Sequence, residues 1–167
     1  MTVEIVTERL RLRRARPDDL LAMHAVLSHP EATRYWSTPP HPDLDTTRAW
    51  LGGMVAAPPE LSEDFVVELD GRVIGKAGFY RLPEIGFILH PDAWGRGYAR
   101  EAAAAVIDHV WATRPEIAEL VADADPRNER SLRLLEGLGF ERTGFAERTF
   151  CINGEWVDSV FLALKRP

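Results

Sequence analysis

Cysteine is almost absent from this chain of 167 residues, which carries Cys151 alone. A single thiol excludes an intrachain disulfide and any zinc site built from cysteines. We interpret Cys151 as a small packed hydrophobic residue, because nothing near it in the sequence is of the kind that lowers a thiol pKa. The histidines show no spacing typical of metal ligands either, so we expect no metal ion.

Long apolar runs and an excess of basic residues are lacking as well. No stretch approaches the roughly 20 apolar residues of a membrane-spanning helix, and the first residues contain no apolar segment typical of a secretion signal. The formal net charge of −6 argues against a general nucleic-acid-binding protein, which needs a basic face. We therefore expect a cytoplasmic protein that binds neither membranes nor nucleic acid.

Hydrophobic residues make up 46% of the chain and charged residues 28%, which is typical of a globular protein with its own core. No repeat, low-complexity tract or linker divides the sequence, so we expect one domain over residues 1–167. Strands follow one another directly in the middle and at the end of the predicted element order, and helices are inserted between them. This order predicts an α+β fold, with a mixed, mostly antiparallel sheet and flanking helices.

Hydrophobic periodicity and turn residues predict the individual elements. Asp70-Gly71 and Asn153-Gly154 are dipeptides typical of hairpin turns. The predicted strands are 7–15, 64–69, 72–80, 84–89, 119–125, 140–151 and 155–164. Four helices are predicted. The first begins at Pro17 and stops at 28–30, and the second surrounds Trp50 and ends near Pro58. The third runs from about Gly97 to Thr113, and the fourth lies within 128–140.

A loop rich in small residues connects the strand 84–89 to the longest predicted helix. It reads HPDAWGRGYA, with Gly95, Gly97 and Ala99 at its end. Small residues let a backbone approach a ligand closely, and a helix N-terminus presents free N–H groups and a positive dipole end. The combination predicts an anion site, for a dinucleotide, a nucleoside triphosphate or another phosphate carrier.

The spacing disfavours two of these ligands. A dinucleotide fingerprint needs a third glycine where Arg100 stands, and it opens an alternating βαβ fold. The stretch GRVIGKA is one residue too short for a P-loop, and Ala77 replaces the metal-binding hydroxyl. Another phosphate carrier is the interpretation that remains.

The loop resembles the acyl-CoA-binding motif Gln/Arg-x-x-Gly-x-Gly/Ala of the GNAT superfamily of N-acetyltransferases. Gly97 and Ala99 match its last two fixed positions, and Trp94 stands at the first, where glutamine or arginine is commonest. Further segments are similar to the RimJ/RimL-like branch, follow one another in the order seen there, and span almost the whole chain. They are TERLRLRRARPDDL, RYW, EIGFILHPDAWGRGYAREAA, NERSLRLLEGLGF and NGEWVDSVFLAL.

The resemblance implies a mixed sheet whose fourth and fifth strands separate to admit the pantetheine arm of acetyl-CoA. The loop backbone would wrap the CoA pyrophosphate, and the edge of the preceding strand would bond the pantetheine amides as an added strand does. Asn128 also suits a helix N-cap, and the Arg96 side chain is interpreted equally well as a phosphate ligand or a surface residue. The implied CoA-binding residues are Ile88, Leu89, His90, Trp94, Gly95, Arg96, Gly97, Tyr98, Ala99 and Asn128.

The resemblance also implies two catalytic residues. Glu84 resembles the carboxylate that deprotonates the amine in histone-modifying relatives, often through water; the alternative is a surface glutamate at a strand end. Leu135 replaces the tyrosine with which many relatives protonate the CoA thiolate. Ser131 matches a serine of RimL-like proteins and would assist the thiolate instead, although its hydroxyl also suits the first turn of a helix. Weaker base candidates are His24, His41, Glu147 and Asp158.

Four other aromatic residues divide between the acceptor site and the core. Tyr35 and Trp36 lie in a predicted loop and are candidates for binding the acceptor, with the core as the alternative for Trp36. Trp50 and Trp111 are expected in the core, because they lie on apolar helix faces.

These observations together predict an acetyl-CoA-dependent N-acetyltransferase. The acceptor implied by the resemblance is a protein N-terminal α-amine, as for ribosomal proteins, or a small-molecule amine. A catalytically weak acyl-CoA-binding regulatory module is the alternative, and the leucine at position 135 favours it. The resemblance is also compatible with a homodimer.

Overall fold

The computed structural model describes residues 3–167. Eight strands form one sheet in the order β1-β2-β3-β4-β5-β6-β8-β7. Neighbouring strands are antiparallel, except that β5 and β6 run parallel. The strands are β1 (Glu4–Val6), β2 (Leu10–Arg13), β3 (Glu63–Leu69), β4 (Arg72–Arg81), β5 (Glu84–Leu89), β6 (Glu119–Ala124), β7 (Glu141–Ile152) and β8 (Glu155–Lys165). The helices are α1 (Leu20–Leu27), α2 (Pro30–Thr33), α3 (Leu44–Ala56), α4 (Tyr98–Thr113) and α5 (Glu129–Gly137). The mixed, mostly antiparallel α+β fold predicted from the sequence is confirmed.

The first predicted strand is in fact two short strands. The Thr7 N–H donates to the Leu10 carbonyl at 2.9 Å, which turns the chain so that β1 and β2 pair with each other. The sequence analysis also missed α2. The His29-Pro30 pair that ends α1 begins this helical turn, because His29 accepts a hydrogen bond from the Glu31 N–H and Pro30 suits the first helical position.

Both predicted hairpins are confirmed. Asp70 and Gly71 have φ of 51° and 77° and connect β3 to β4; Asn153 and Gly154 have φ of 54° and 84° and connect β7 to β8. Two consecutive residues in the left-handed region form the turn that matches the twist of paired strands. Asparagine, aspartate and glycine adopt this region at the lowest cost.

The sheet is covered on both faces, and each face has its own apolar core. Trp50 and Trp111 pack at the margins of these cores and are half-buried. The large buried side chains of the core on the α4 side include Phe65, Phe79, Val106, Val110 and Leu120. Those of the core on the α1 and α3 side include Met23, Leu27, Leu51 and Val66.

Two findings concern membranes and metals. Among the helices of residues 3–167, none combines the length and apolar character needed to cross a membrane. Within the same residues, no three histidine, cysteine, aspartate or glutamate side chains gather as metal ligands would.

Candidate active site

β5 and β6 lie side by side at one end and separate at the other. Glu84 and Val121 are the register partners that join them, and the Val121 N–H donates to the Pro83 carbonyl at 3.0 Å. Beyond this point the second half of β5 lines a cleft of about 1060 Å³, together with residues near α2, the glycine-rich loop and the start of α5. The strand separation that the family resemblance implied is therefore present.

The glycine-rich loop leads directly into the N-terminus of α4. Gly95 and Gly97 have φ of 77° and 80°, and Gly97 is the N-cap, immediately before Tyr98. Gly97 has no side chain with which to cap the helix, and the Glu101 N–H donates to the Gly97 carbonyl at 3.0 Å. The N–H groups ahead of Glu101 in the first turn are therefore available to an anion.

Trp94 and the first residues of α4 fix this loop to the body of the protein. The Trp94 Nε1–H donates to the Leu89 carbonyl at 3.0 Å. Tyr98 is buried and Ala99 packs against the core on the α4 side. The loop is thus held at both ends while Gly95, Arg96 and Gly97 between them stay exposed.

Arginines are concentrated around the cleft, in a protein whose formal net charge is −6. The Arg130 guanidinium stacks on the Trp94 ring at 4.7 Å, and Arg100 donates to the Gly137 carbonyl at 2.9 Å. Guanidinium groups bind phosphates strongly through paired hydrogen bonds, so the cleft suits a ligand with several phosphates. The lining arginines are Arg34, Arg100, Arg127, Arg130 and Arg133.

The open edge of β5 differs from the one expected. The His90 N–H donates to the Ile74 carbonyl on β4 at 2.8 Å, so His90 does not present its N–H to the cleft. Backbone groups alternate between the two sides of a strand, so those of Ile88 also point towards β4. The backbone groups that face the cleft belong to Phe87 and Leu89. The buried side chain of Ile88 still lines the cleft.

Asn128 and Ser131 are joined at the start of α5. The Asn128 Oδ1 accepts a hydrogen bond from the Ser131 N–H at 3.2 Å, as an N-cap does, and its Nδ2 donates to the Ser131 Oγ at 2.9 Å. Because the hydroxyl oxygen accepts this bond, the Ser131 O–H remains free to donate. Both residues line the cleft. Leu135 is 2% exposed and belongs to the core.

Two carboxylates lie near the point where β5 and β6 separate. Asp123 follows Val121 by two residues, so its side chain lies on the same face of the sheet as that of Glu84. Burial raises the pKa of Glu84, and the charge of Asp123 raises it further. Burial also raises the pKa of Asp123, against the opposing effect of the Ser159 hydroxyl. Each carboxylate therefore binds a proton more readily than an isolated one.

Tyr35 and Trp36 line the cleft on the side of α2. Arg34 and Arg127 lie over the Tyr35 ring at 5.1 Å and 5.5 Å. Trp36 is half-buried, packs against the core on the α1 and α3 side, and lies 3.9 Å from the position of a Cβ atom on Gly86. Trp36 is therefore both a core residue and part of the cleft wall.

A family model described as an acetyltransferase (GNAT) domain matches residues 9–141, most of the chain.

The chain belongs to the GNAT acetyltransferase family.

Individual relatives agree with this assignment. An uncharacterized N-acetyltransferase p20 of Bacillus licheniformis is 30% identical over 97% of this chain and 96% of its own. The ribosomal protein uS5-alanine N-acetyltransferase of Escherichia coli is 34% identical over 58% of this chain and 53% of its own. Spermidine N(1)-acetyltransferase of Escherichia coli is 26% identical over 93% of this chain and 85% of its own.

Solved structures show the same fold. A GNAT-family acetyltransferase from Bacillus anthracis superposes with a TM-score of 0.84 at 26% identity and covers 98% of both chains. RimL, a ribosomal L7/L12 alpha-N-protein acetyltransferase in complex with coenzyme A, superposes with a TM-score of 0.85 at 21% identity, again over 98% of both chains.

This GNAT protein is an N-acetyltransferase. The predicted family, fold and enzyme class are confirmed. The three relatives described above are named as N-acetyltransferases, which disfavours the alternative of a binding module without turnover.

Some candidate residues of the GNAT protein lie away from the large cleft. The side chains of His90 and Arg96 line a smaller neighbouring cleft. His24 and His41 both bond the buried Thr47 hydroxyl, with Nδ1 to Oγ1 distances of 2.7 Å and 2.8 Å. This pair joins α1 to α3 and explains the two histidines as structural residues.

The terminal hairpin of the GNAT protein corrects the expectation for Cys151. This cysteine is exposed, as is its register partner Trp156. The prediction of a packed thiol was wrong because β7 is the edge strand of the sheet. Asp158, also on this hairpin, accepts a hydrogen bond from the Arg148 N–H at 2.9 Å and so stabilises the β7–β8 pairing.

Sequence reasoning missed Asp123, Phe87 and all five cleft arginines. Asp123 had a local signal, since an acidic residue inside the strand sequence ELVADAD is unusual for a central strand. The arginines had none, because they come from separate segments that only the fold brings together.

Proposed function

We propose that this GNAT enzyme acetylates a protein N-terminal α-amine by direct attack of the amine on the thioester. The observation that carries the proposal is the pair Glu84 and Asp123, placed where β5 and β6 separate. An α-amine has a pKa of about 8 and a lysine side chain one of about 10.4. A carboxylate with a raised pKa is a better base for the α-amine than for the lysine side chain, because the pKa difference that the proton transfer must overcome is smaller.

The arginines and the loop account for acetyl-CoA binding. The first-turn N–H groups of α4 and the loop N–H groups at Gly95 and Gly97 hold the pyrophosphate, and the cleft arginines hold the remaining negative charge. The free backbone groups of Phe87 and the Leu89 N–H bond the pantetheine amides as an added strand does, while the Leu89 carbonyl stays bonded to Trp94. This arrangement directs the thioester towards the end of the cleft where the two strands meet.

Glu84 accepts the proton of the attacking amine through water. It precedes Phe87, the first β5 residue that lines the cleft, by three residues, which is about 10 Å along a strand. Gly86 between them carries no side chain, so the space for a bridging water lies beside Trp36. Asp123 keeps the pKa of Glu84 raised and so makes it the stronger base.

Ser131 acts on the leaving group. As the amine nitrogen forms its bond to the carbonyl carbon, the C–S bond breaks and the electron pair goes to sulfur. A thiol pKa of about 8.5 lets the sulfur leave as a thiolate near neutral pH. The free O–H of Ser131, whose oxygen is held by Asn128, donates a hydrogen bond to that thiolate.

Tyr35 and Trp36 form the wall against which the acceptor chain packs. The relative named for uS5-alanine acetylation supports an N-terminal α-amine as the acceptor. The relative named for spermidine covers more of the chain, and it makes a polyamine the second candidate.

Release of free thiol from acetyl-CoA tests the proposal. The acceptors are peptides with a free N-terminal alanine or serine, the same peptides with a blocked N-terminus and an internal lysine, and spermidine. We expect release with the free N-termini, and a loss of about 100-fold in kcat/KM in Glu84→Gln. Glu141→Gln, at an exposed glutamate on β7, is the matched control and retains full activity.

The other outcomes are equally informative. Release with spermidine alone replaces the first candidate by the second. Tight CoA binding without release on any acceptor contradicts the proposed α-amine and polyamine acceptors together. Full activity of Glu84→Gln removes Glu84 as the base.

A further inference from the structure

The N-terminal segment Thr7-Glu8-Arg9-Leu10, which connects β1 to β2, lies against the first turn of α4. The Thr7 hydroxyl donates to the Glu101 Oε1 at 2.6 Å, and the Arg9 backbone N–H donates to the same oxygen at 2.9 Å. More than 90 residues of sequence separate these partners. A short turn at one edge of the sheet is thus fastened to the helix that follows the CoA loop.

The Arg9 side chain makes further contacts with the loop and the helix. Its Nε–H donates to the Glu101 Oε2 at 2.7 Å, and its Nη1–H donates to the Arg96 carbonyl at 2.8 Å. Its guanidinium lies over the Tyr98 ring at 4.5 Å. A Cβ atom on Gly97 would stand 3.4 Å from the Arg9 Nη2. Arg9 therefore contacts the loop immediately before and after Gly97.

The contact with Glu101 also has an electrostatic consequence. Burial raises the pKa of Glu101, but hydrogen bonds from Thr7 and Arg9 outweigh it and hold the pKa below its usual value. The group is therefore an anion at neutral pH, within the first turn of the helix whose N–H groups are to bind pyrophosphate. An unpaired carboxylate there would repel the ligand. The Arg9 Nη2 lies 2.6 Å from the Glu101 Oε2 and neutralises it.

We propose that Arg9 is a positioning residue for acetyl-CoA, which holds the loop around Gly97 in its binding conformation and neutralises Glu101. The inference rests on the proposed placement of the CoA pyrophosphate at this loop. It assigns a function to the TERL segment, which the chemistry of acetyl transfer leaves unexplained.

Calorimetric titration with CoA, which needs no acceptor, tests the inference directly. We expect Arg9→Gln to weaken CoA binding about tenfold, because charge-assisted hydrogen bonds are lost and Glu101 becomes unpaired. KM for acetyl-CoA rises by the same factor, while kcat at saturating acetyl-CoA stays nearly unchanged. Arg11→Gln is the matched control: Arg11 lies two residues along and pairs with Glu4 in an exposed ion pair, so its loss leaves CoA affinity unaltered.

A double variant separates neutralisation from a general loss of structure. Arg9→Gln with Glu101→Gln removes the unpaired carboxylate, so it binds CoA more tightly than Arg9→Gln alone. Arg9→Lys retains the charge but cannot bond both Glu101 and the Arg96 carbonyl as the forked guanidinium does. Its CoA affinity is expected to lie between those of wild type and Arg9→Gln. The Arg9→Lys result alone decides the matter if Arg9→Gln does not fold.

Gly97→Val distinguishes failure of this inference from failure of the proposed site. Valine at φ of 80° is strained and is expected to abolish CoA binding. Normal CoA binding by Gly97→Val overturns the placement of the pyrophosphate itself. Loss in Gly97→Val together with wild-type affinity in Arg9→Gln overturns the role of Arg9 alone. A double variant that binds no more tightly than Arg9→Gln overturns the neutralisation of Glu101.

Discussion

Replacing Asp123 by asparagine tests the coupling between the two carboxylates at the proposed catalytic centre. The charge of Asp123 helps to raise the pKa of Glu84, and asparagine keeps the size and the polar character of the side chain. We expect the acid limb of the kcat/KM profile to move to lower pH in Asp123→Asn, because Glu84 then loses its proton more readily. The maximal rate falls as well, since Glu84 becomes a weaker base.

The size of this change follows from the strand geometry. Glu84 is the register partner of Val121, and Asp123 lies two residues further on. With strands about 4.8 Å apart and about 3.3 Å per residue, the two Cα atoms are about 8 Å apart. Two unit charges at that distance repel by about 2 kcal/mol at an effective dielectric constant of 20. Glu84 is partly exposed to solvent, which screens the repulsion, so the limb should move by about half to one pH unit.

The assay is thiol release from acetyl-CoA, measured from pH 4.5 to pH 9 at saturating acetyl-CoA and at acceptor-peptide concentrations well below KM, where the rate reports kcat/KM. Glu119→Gln is the control. Glu119 lies two residues before Val121, as Asp123 lies two residues after it. Because Glu119 is exposed and opposite Lys165, its removal should move the acid limb much less. An acid limb of Asp123→Asn that coincides with wild type, or that moves to higher pH, refutes the proposed coupling. Arg81 on β4 is the register partner of Glu84, and Lys165 on β8 is the register partner of Glu119.

Two further substitutions test other parts of the structure. Ser131→Ala should lower kcat about tenfold near pH 7, because it removes one hydrogen bond to the leaving thiolate. This loss of kcat should shrink above about pH 8.5, where the thiolate is stable without that hydrogen bond. A loss of kcat that does not depend on pH contradicts the role of Ser131. Lys76→Met leaves Asp64, which is 3% exposed and 2.7 Å from the Lys76 Nζ, as an unpaired buried charge. Urea denaturation should show a loss of about 3–5 kcal/mol, against less than about 1 kcal/mol for Arg48→Met in an exposed pair; equal losses contradict the argument.

The sequence predicts the fold well because its strongest signals are local. Asp70-Gly71 and Asn153-Gly154 specify two tight turns, and the apolar runs of β3, β4 and β5 follow directly from the sequence. The errors lie where local signals compete. At His29-Pro30 the same residues end one helix and begin the next, and the turn at Thr7 divides one alternating run into two strands.

The candidate site is only partly predictable for the same reason. Gly97 and Asn128 are recognisable from motif and capping preferences, because each acts on its own neighbours in the chain. Of the expected edge at Ile88, Leu89 and His90, only Leu89 faces the cleft, together with Phe87, because the pairing of β5 with β4 decides which backbone groups point there. No local pattern contains that information.

What the sequence determines by itself is most of the helices and strands, the glycine loop before α4 and the family to which the chain belongs. Tertiary structure alone decides that β5 and β6 meet at Glu84 and then separate, that Asp123 lies on the same face of the sheet as Glu84, and that Arg9 pairs with Glu101. The physical reason is the distance along the chain over which each feature is determined. Turns, caps and periodicity depend on a few adjacent residues, whereas a pKa or a binding cleft depends on charges that distant segments bring together.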